Sequence, residues 1–383
     1  MVESFCSSTT LPEFTLWRKI DKRVPLSFDL EVTARCNNDC RHCYICLPAG
    51  DRDARSKELS RDAISRLADE AVSLGTLWCL ITGGEPLVRD DFSGIYLDLK
   101  RKGLLVSVFT NACLIDEDHI DLFEKYPPRD IEVSVYGATK ATYEKVTRRP
   151  GSFEAFMRGL TLLLESGMQV RLKAMALRSN VHELPEIAEF CRKKTCDYYR
   201  FDPLIHLRLD GDQSRNEVIR SERLTAEEIV RLELSDAERF HALEKSCDKL
   251  IFSEACQHGC DHLFHCGAGN GSFVLGYDGY FRLCASLQMP DGVYNLRKGS
   301  LTDAWQNFVP RVRAMRSGNK EFLEKCRNCP IINLCLWCPA HAYLENGDMG
   351  AFVPYFCEVA HARAEALRTS NRVDSVPIRE NGG

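Results

Sequence analysis

Cys36-Asn37-Asn38-Asp39-Cys40-Arg41-His42-Cys43 sets three cysteines at a C-x3-C-x2-C spacing, directly after an apolar run from Phe28 to Val32. Three thiolates packed this tightly can ligate three irons of a [4Fe–4S] cube, which is held by cysteine sulfur and normally takes four such ligands. The fourth iron is then open to a substrate or cofactor. A structural zinc knot competes for the same residues, but zinc takes four ligands and its cysteines usually come as C-x2-C pairs.

The spacing, with the aromatic His42 just ahead of the third cysteine, resembles the radical S-adenosylmethionine (SAM) superfamily. The resemblance implies that Cys36, Cys40 and Cys43 hold the cube and that His42 lies at the cofactor site. It also implies that the amino and carboxylate groups of SAM chelate the open iron, and that reduction cleaves SAM to a 5′-deoxyadenosyl radical.

Composition agrees with a metal enzyme of ordinary globular type. The 383 residues are 44% hydrophobic and 27% charged, with 50 basic against 55 acidic side chains and a formal charge of −5. That length allows two or three domains. No basic stripe points to nucleic acid, no apolar run approaches a membrane span, and no signal region opens the chain, so the expected place is the cytoplasm. Nineteen cysteines is a heavy load. A chain long enough to build its own core does not need disulfide staples, so metal ligation explains the load better. The thiols also cluster, at Cys36–Cys43, Cys256–Cys284 and Cys326–Cys338.

From Phe28, short β-branched runs (Phe28–Thr33, Leu77–Thr82, Leu104–Phe109, Ile131–Val135, Val170–Ala174, Tyr199–Phe201) alternate with helix-period segments. One helix is expected from Ser60 as N-cap to Leu74, with Ile64, Leu67, Ala68, Ala71 and Val72 on its apolar face. Others are expected from Ser152 to Glu165 and from His182 to Lys193. Such repeats imply an α/β fold with parallel strands and right-handed crossovers. A partial (βα)6 TIM-like barrel, the radical SAM core, is expected, with a Rossmann-like open sheet as the alternative. The charged stretch from Arg215 to Ser246 reads as solvent-facing linker helices, and Phe14 and Trp17 as residues that dock the N-terminal segment.

Active sites of parallel sheets gather at the C-terminal ends of the strands, where the remaining motifs fall. In Thr82-Gly83-Gly84-Glu85-Pro86, two glycines let backbone approach a ligand and a carboxylate can accept from an ammonium group. The matching family motif binds the SAM amino group, which nominates Gly83, Gly84, Glu85 and Pro86. Thr110, Asn111 and Ser134 stand where the family often places polar residues on the SAM ribose. Many relatives follow that serine with Leu-Asp-Gly; this chain has Val135-Tyr136-Gly137, with Tyr136 read as a packing residue. Asp202, at the end of the sixth strand, is a candidate catalytic base against the commoner solvated loop carboxylate. Cys46 is a candidate hydrogen-atom donor against an ordinary loop thiol.

A second cysteine-rich region runs through Cys260, Cys266, Cys284, Cys326, Cys329, Cys335, Cys338 and Cys357, with a β-hairpin expected at Tyr277–Tyr280. It resembles the SPASM extension of radical SAM enzymes. The resemblance implies two auxiliary [4Fe–4S] clusters, one on Cys260, Cys266, Cys284 and Cys338, the other on Cys326, Cys329, Cys335 and Cys357. Only Leu336 and Trp337 separate Cys335 from Cys338, one residue fewer than the commoner spacing, so a swap of partners stays open, as does substitution by Cys256. Zinc is the alternative for the quartet Cys326, Cys329, Cys335 and Cys338. The domains expected are an N-terminal segment (1–26), the core (27–210), a helical linker (211–258), the SPASM domain (259–368) and a flexible tail (369–383).

The resemblance implies oxidative modification of a ribosomally made peptide or protein, by cross-link or thioether formation. The expected partners are that peptide and an electron donor such as flavodoxin or ferredoxin; since no recognition domain is seen at either end, leader binding is expected to need a separate peptide-recognition protein or the barrel mouth itself. Radical oxidation or rearrangement of a small molecule, such as an amino sugar or nucleoside, is the second reading. A non-catalytic iron–sulfur electron carrier or metal-binding scaffold is the reading from another class.

Overall fold

In the computed structural model, residues 23–195, 200–237, 239–241, 261–327, 329–335 and 337–369 are described. Phe14, Trp17, Tyr199, Cys256, Cys260, Leu336 and the tail beyond 369 lie outside the described residues. Ser27–Glu31 (β1) buries Phe28 and Leu30, and five strands follow: Trp78–Thr82 (β2), Leu105–Thr110 (β3), Ile131–Val135 (β4), Val170–Met175 (β5) and Arg200–Asp202 (β6). Each pairs in parallel with the next, in chain order. Parallel neighbours need crossovers. These contain Arg61–Ser73 (α1), Phe92–Arg101 (α2), Glu117–Lys125 (α3), Lys140–Thr147 (α4), Ser152–Glu165 (α5) and Leu184–Lys194 (α6). Because the strand order never reverses, there is no switch point of the doubly wound kind, and the Rossmann-like alternative is set aside.

Local chemistry sets the helix starts. Ser60 Oγ accepts from the Ala63 amide at 3.2 Å, which satisfies one orphan donor of α1. Its inward face carries Ile64, Leu67, Ala68 and Ala71; Val72, expected there too, is 37% exposed. The helix expected from His182 starts as α6 at Leu184, because Val181–Glu183 winds as a 3-10 turn.

The charged stretch after β6 forms Gln213–Glu222 (α7) and Ala226–Ser235 (α8). It is not uniformly a wet face. Glu222 and Glu233 are buried, and Glu233 takes a bidentate pair from Arg363 at 2.9 and 2.6 Å. Arg363 lies on Pro354–Thr369 (α10), which follows Pro339–Asn346 (α9) and carries Cys357. Removing one partner of a buried pair strands the other charge. Arg363→Leu is therefore expected to cost about 3–5 kcal/mol, read as a lower denaturant midpoint. A loss below about 1 kcal/mol would show that the pair is no anchor.

The expected hairpin is present as Ser272–Leu275 (β7) and Tyr280–Arg282 (β8), continued by Val293–Asn295 (β9). Gly279 supplies the positive φ of the turn, +84°. What the sequence did not reveal is its neighbour. β7 pairs in parallel with the free edge of β1, from Ser27 opposite Ser272 to Leu30 opposite Leu275, so one nine-stranded sheet runs β9-β8-β7-β1-β2-β3-β4-β5-β6. Phe28 and Phe273 stack across the seam at 5.4 Å, and Glu31 pairs with Arg282 out of solvent.

Candidate functional site

The loop after β1 and the turn after β2 lie directly on one another. The Gly84 amide donates to Thr33 O at 2.7 Å and the Glu85 amide to Arg35 O at 2.9 Å. A Cβ on Gly83 would stand 2.2 Å from Thr33 O, and one on Gly84 2.3 Å from Arg35 O. The glycines are thus demanded first by backbone packing, and that packing presents the three-cysteine loop to the strand ends.

The carboxylate of Glu85 is turned inward. It is fully buried and accepts from Thr110 Oγ1 at 2.8 Å, the Asn111 amide at 2.7 Å and the Leu87 amide at 3.2 Å. Burial pushes its pKa up to about 7 against the pull of those donors. The side chain pins β3 to the Gly-Gly turn. Pro86 opens a buried 3-10 turn, Pro86–Val88. Asn111 is likewise committed to the loop, donating to Asn37 Oδ1 at 2.7 Å and lying 3.8 Å from Cys36 Sγ.

Above this layer lies a cavity of about 300 Å³ whose wall includes Cys36, Cys40, Cys43 and His42. Gly83, Gly84, Thr110, Asn111, Ser134 and Asp202 reach the same cavity. Burial raises the Cys36 and Cys40 thiols, and the charges on their neighbours raise them further. Cys43 is pulled down to about 6, chiefly by its hydrogen bond with Cys46. His42 is lowered to about 4 by burial, and its Nδ1 has no partner among the described residues. Tyr136 packs as expected, on His42 at 5.1 Å and Tyr143 at 5.9 Å, but it also faces the cavity. Asp202 is exposed and accepts from the Leu204 amide at 2.9 Å. Cys46 is buried beside Cys43, to whose sulfur its amide donates at 3.3 Å.

Two residues escaped the sequence reading. Arg208 donates to Cys46 O at 3.2 Å and clamps the end of the cysteine loop. His206 lines the cavity between Tyr44, at 4.6 Å, and His341, at 5.1 Å. The signal was the alternation Ile205-His206-Leu207-Arg208, which extends the chain along the cavity past Pro203.

The second set of thiols divides in two. Cys326, Cys329, Cys335 and Cys357 surround an apolar cavity of about 250 Å³ walled by Phe322, Ile331 and Val353. Cys338 lies instead with Cys284 and Cys266; burial first, then charge on those two neighbours, pushes its pKa up to about 12. Despite the short Cys335–Cys338 spacing the two thiols fall into different groups, and the zinc-like quartet is split.

This geometry defines a class of protein: a parallel α/β sheet presenting three loop cysteines at its strand ends, followed by two further thiol groups. Residues 30–191 match the radical SAM superfamily model, and residues 266–330 the SPASM iron–sulfur cluster-binding domain. The chain carries a radical SAM domain and a SPASM domain and is an enzyme. It is 23% identical over 339 residues to an AdoMet-dependent heme synthase of Nitratidesulfovibrio vulgaris, covering 85% of this chain and 90% of the relative. It is 24% identical over 336 residues to the Bacillus subtilis subtilosin biosynthesis protein AlbA, covering 82% and 67%. Streptococcus suis SuiB, solved with its precursor peptide SuiA, shares the fold with a TM-score of 0.65 at 17% identity, over 88% of this chain and 76% of SuiB.

The domains bring SAM, a [4Fe–4S] cluster and auxiliary iron–sulfur clusters. The residues present fit them. The Cys36 and Cys40 thiols, raised by burial and neighbouring charge, are stabilised as thiolates beside a cation, which iron supplies. Four thiols around an apolar cavity suit a cube, and the unpartnered His42 Nδ1 leaves a polar group on the SAM side.

Proposed function

We propose that this enzyme oxidatively modifies a ribosomally made peptide or protein. Cys36, Cys40 and Cys43 hold the core cube, and the backbone of Gly83 and Gly84, with Ser134, positions SAM. Cys326, Cys329, Cys335 and Cys357 hold one auxiliary cluster; Cys266, Cys284 and Cys338, with Cys260, hold the other. Bound and reduced, SAM supplies a 5′-deoxyadenosyl radical able to take hydrogen from an unreactive carbon. The chain's own groups orient the substrate and exclude water.

The observation that carries the peptide reading is the cavity's charge. Among its described lining residues, Lys173 is the one Lys or Arg, and it is already paired with Glu132. Burial leaves His42 and His206 neutral. A nucleoside triphosphate or a porphyrin bearing several carboxylates would enter without counter-charges, at a cost of several kcal/mol per buried ion. An extended peptide brings no such charge. The peptide-bound SuiB and the bacteriocin-maturing AlbA support this reading. The heme synthase likeness favours a second, oxidation of a small molecule.

The test is deuterium transfer into 5′-deoxyadenosine during anaerobic turnover, with either a perdeuterated peptide pool or deuterated polyanionic small molecules. Label arriving only from the peptide pool is the expected result. Label from the small molecules alone would move the assignment to the second reading. A flavodoxin or ferredoxin is the proposed reductant, and the reducing cytoplasm the proposed compartment.

A further inference from the structure

Of the three loop cysteines, Cys43 has a fourth thiol against it. Cys43 and Cys46 are in side-chain hydrogen-bond contact, and the Cys46 amide donates to Cys43 Sγ at 3.3 Å. The two follow a C-x2-C spacing, which disulfide geometry accommodates readily. Both line the cavity, but their exposures differ: Cys43 is partly open, while Cys46 is 3% exposed. Arg208 clamps the carbonyls of both residues, at 3.5 Å for Cys43 and 3.2 Å for Cys46, and so holds the pair together. The sulfur of Cys36 lies instead against the Asn38 amide and the Asn111 side chain.

We propose that Cys43 and Cys46 are a redox modification site, a dithiol that closes to a disulfide when the core cluster is absent. Hydrogen peroxide reaching the cavity oxidises the accessible Cys43 thiol to a sulfenic acid, and one water leaves. The Cys46 thiol then attacks the Cys43 sulfur, the S–S bond forms and a second water leaves. Two thiols lose two electrons and two protons to the peroxide in all, and a dithiol reductant reverses the change. The pair thus keeps a cluster ligand from irreversible oxidation while the site is empty of iron. The inference rests on Cys43 as a cluster ligand but is independent of the substrate.

The experiment uses the full chain, stripped of iron anaerobically by a chelator, treated with hydrogen peroxide, then alkylated and digested with trypsin. Residues 42–52 form one tryptic peptide holding Cys43 and Cys46 and no other cysteine. The expected product is that peptide unalkylated and lighter by two hydrogens, recovered as the doubly alkylated form after dithiothreitol. In Cys46→Ser, the same treatment is expected to carry Cys43 on to sulfinic acid. Iron and sulfide are then expected to rebuild the core cluster in the parent only once dithiothreitol is added, and in the oxidised variant not at all. A doubly alkylated peptide after peroxide, or Cys43 bonded to Cys40 or Cys113, overturns the proposal. The mapping on the parent chain decides the matter even if the variant misfolds.

Discussion

Replacing Cys36, Cys40 and Cys43 together by alanine is expected to abolish 5′-deoxyadenosine formation from SAM, while the parent chain, reconstituted anaerobically and reduced, produces it. On the proposed assignment the effect is all or nothing, because the three thiolates would be the protein's whole hold on the cube, with the fourth iron left to SAM. Iron content separates this result from general collapse. The variant is expected to lose the iron of one cube and to keep that of the auxiliary sites, whose described thiols lie between Cys266 and Cys357, far along the chain from the core loop. Deoxyadenosine from the triple variant at the parent's rate would refute the core assignment. Loss of all iron would show that the core loop and the SPASM domain fold only together.

The second large effect needs no cofactor to argue. Gly83→Ala adds a methyl group 2.2 Å from Thr33 O, 3.2 Å from Thr33 N and 3.3 Å from Thr33 C, at a φ of +135° that side chains rarely adopt. The contact atoms are backbone, so no side chain can swing away. Backbone strain and overpacking each cost about 1–3 kcal/mol, and here they act together. The expected loss is about 3–5 kcal/mol in chemical denaturation, with poor loading of the core cluster. Gly50→Ala is the control, since nothing lies within 4 Å of its added Cβ. Equal midpoints for the two variants would sink the argument that the Gly-Gly turn exists to seat the cysteine loop.

Much of this architecture could be read from the chain because its signals are local. Ser60 as N-cap, the span Ser152–Glu165 and the strand Ile131–Val135 follow from hydrophobic period and capping, which depend on neighbours in sequence. What stayed hidden depends on residues far apart. That Glu85 turns inward to Thr110 and Asn111 requires knowing that β2 and β3 are adjacent, and then where their ends fall. The burial of Glu222 and Glu233 could not be told from their polarity; it depends on Ser179 and Arg41 for one and on Arg363 for the other. The two sets of SPASM thiols were legible as cysteines, and their division came from the resemblance. The place of Cys338 beside Cys284 and Cys266 is a matter of three-dimensional path.

The seam between β1 and β7 bears on how the chain is made. At ordinary translation rates of about 5–20 residues per second, roughly 10–40 seconds separate the synthesis of β2 from that of β7. Throughout that interval one edge of β1 waits with unpaired backbone groups, immediately upstream of a loop of three reduced thiols. An exposed edge strand is a template for association with other chains. The nascent protein is therefore most vulnerable not while its barrel is incomplete but afterwards, until a hairpin some 240 residues downstream emerges to cover its first strand. A gene cut at the end of the barrel would preserve that exposure permanently, so aggregation, more than loss of the auxiliary clusters, is what such a fragment would suffer first.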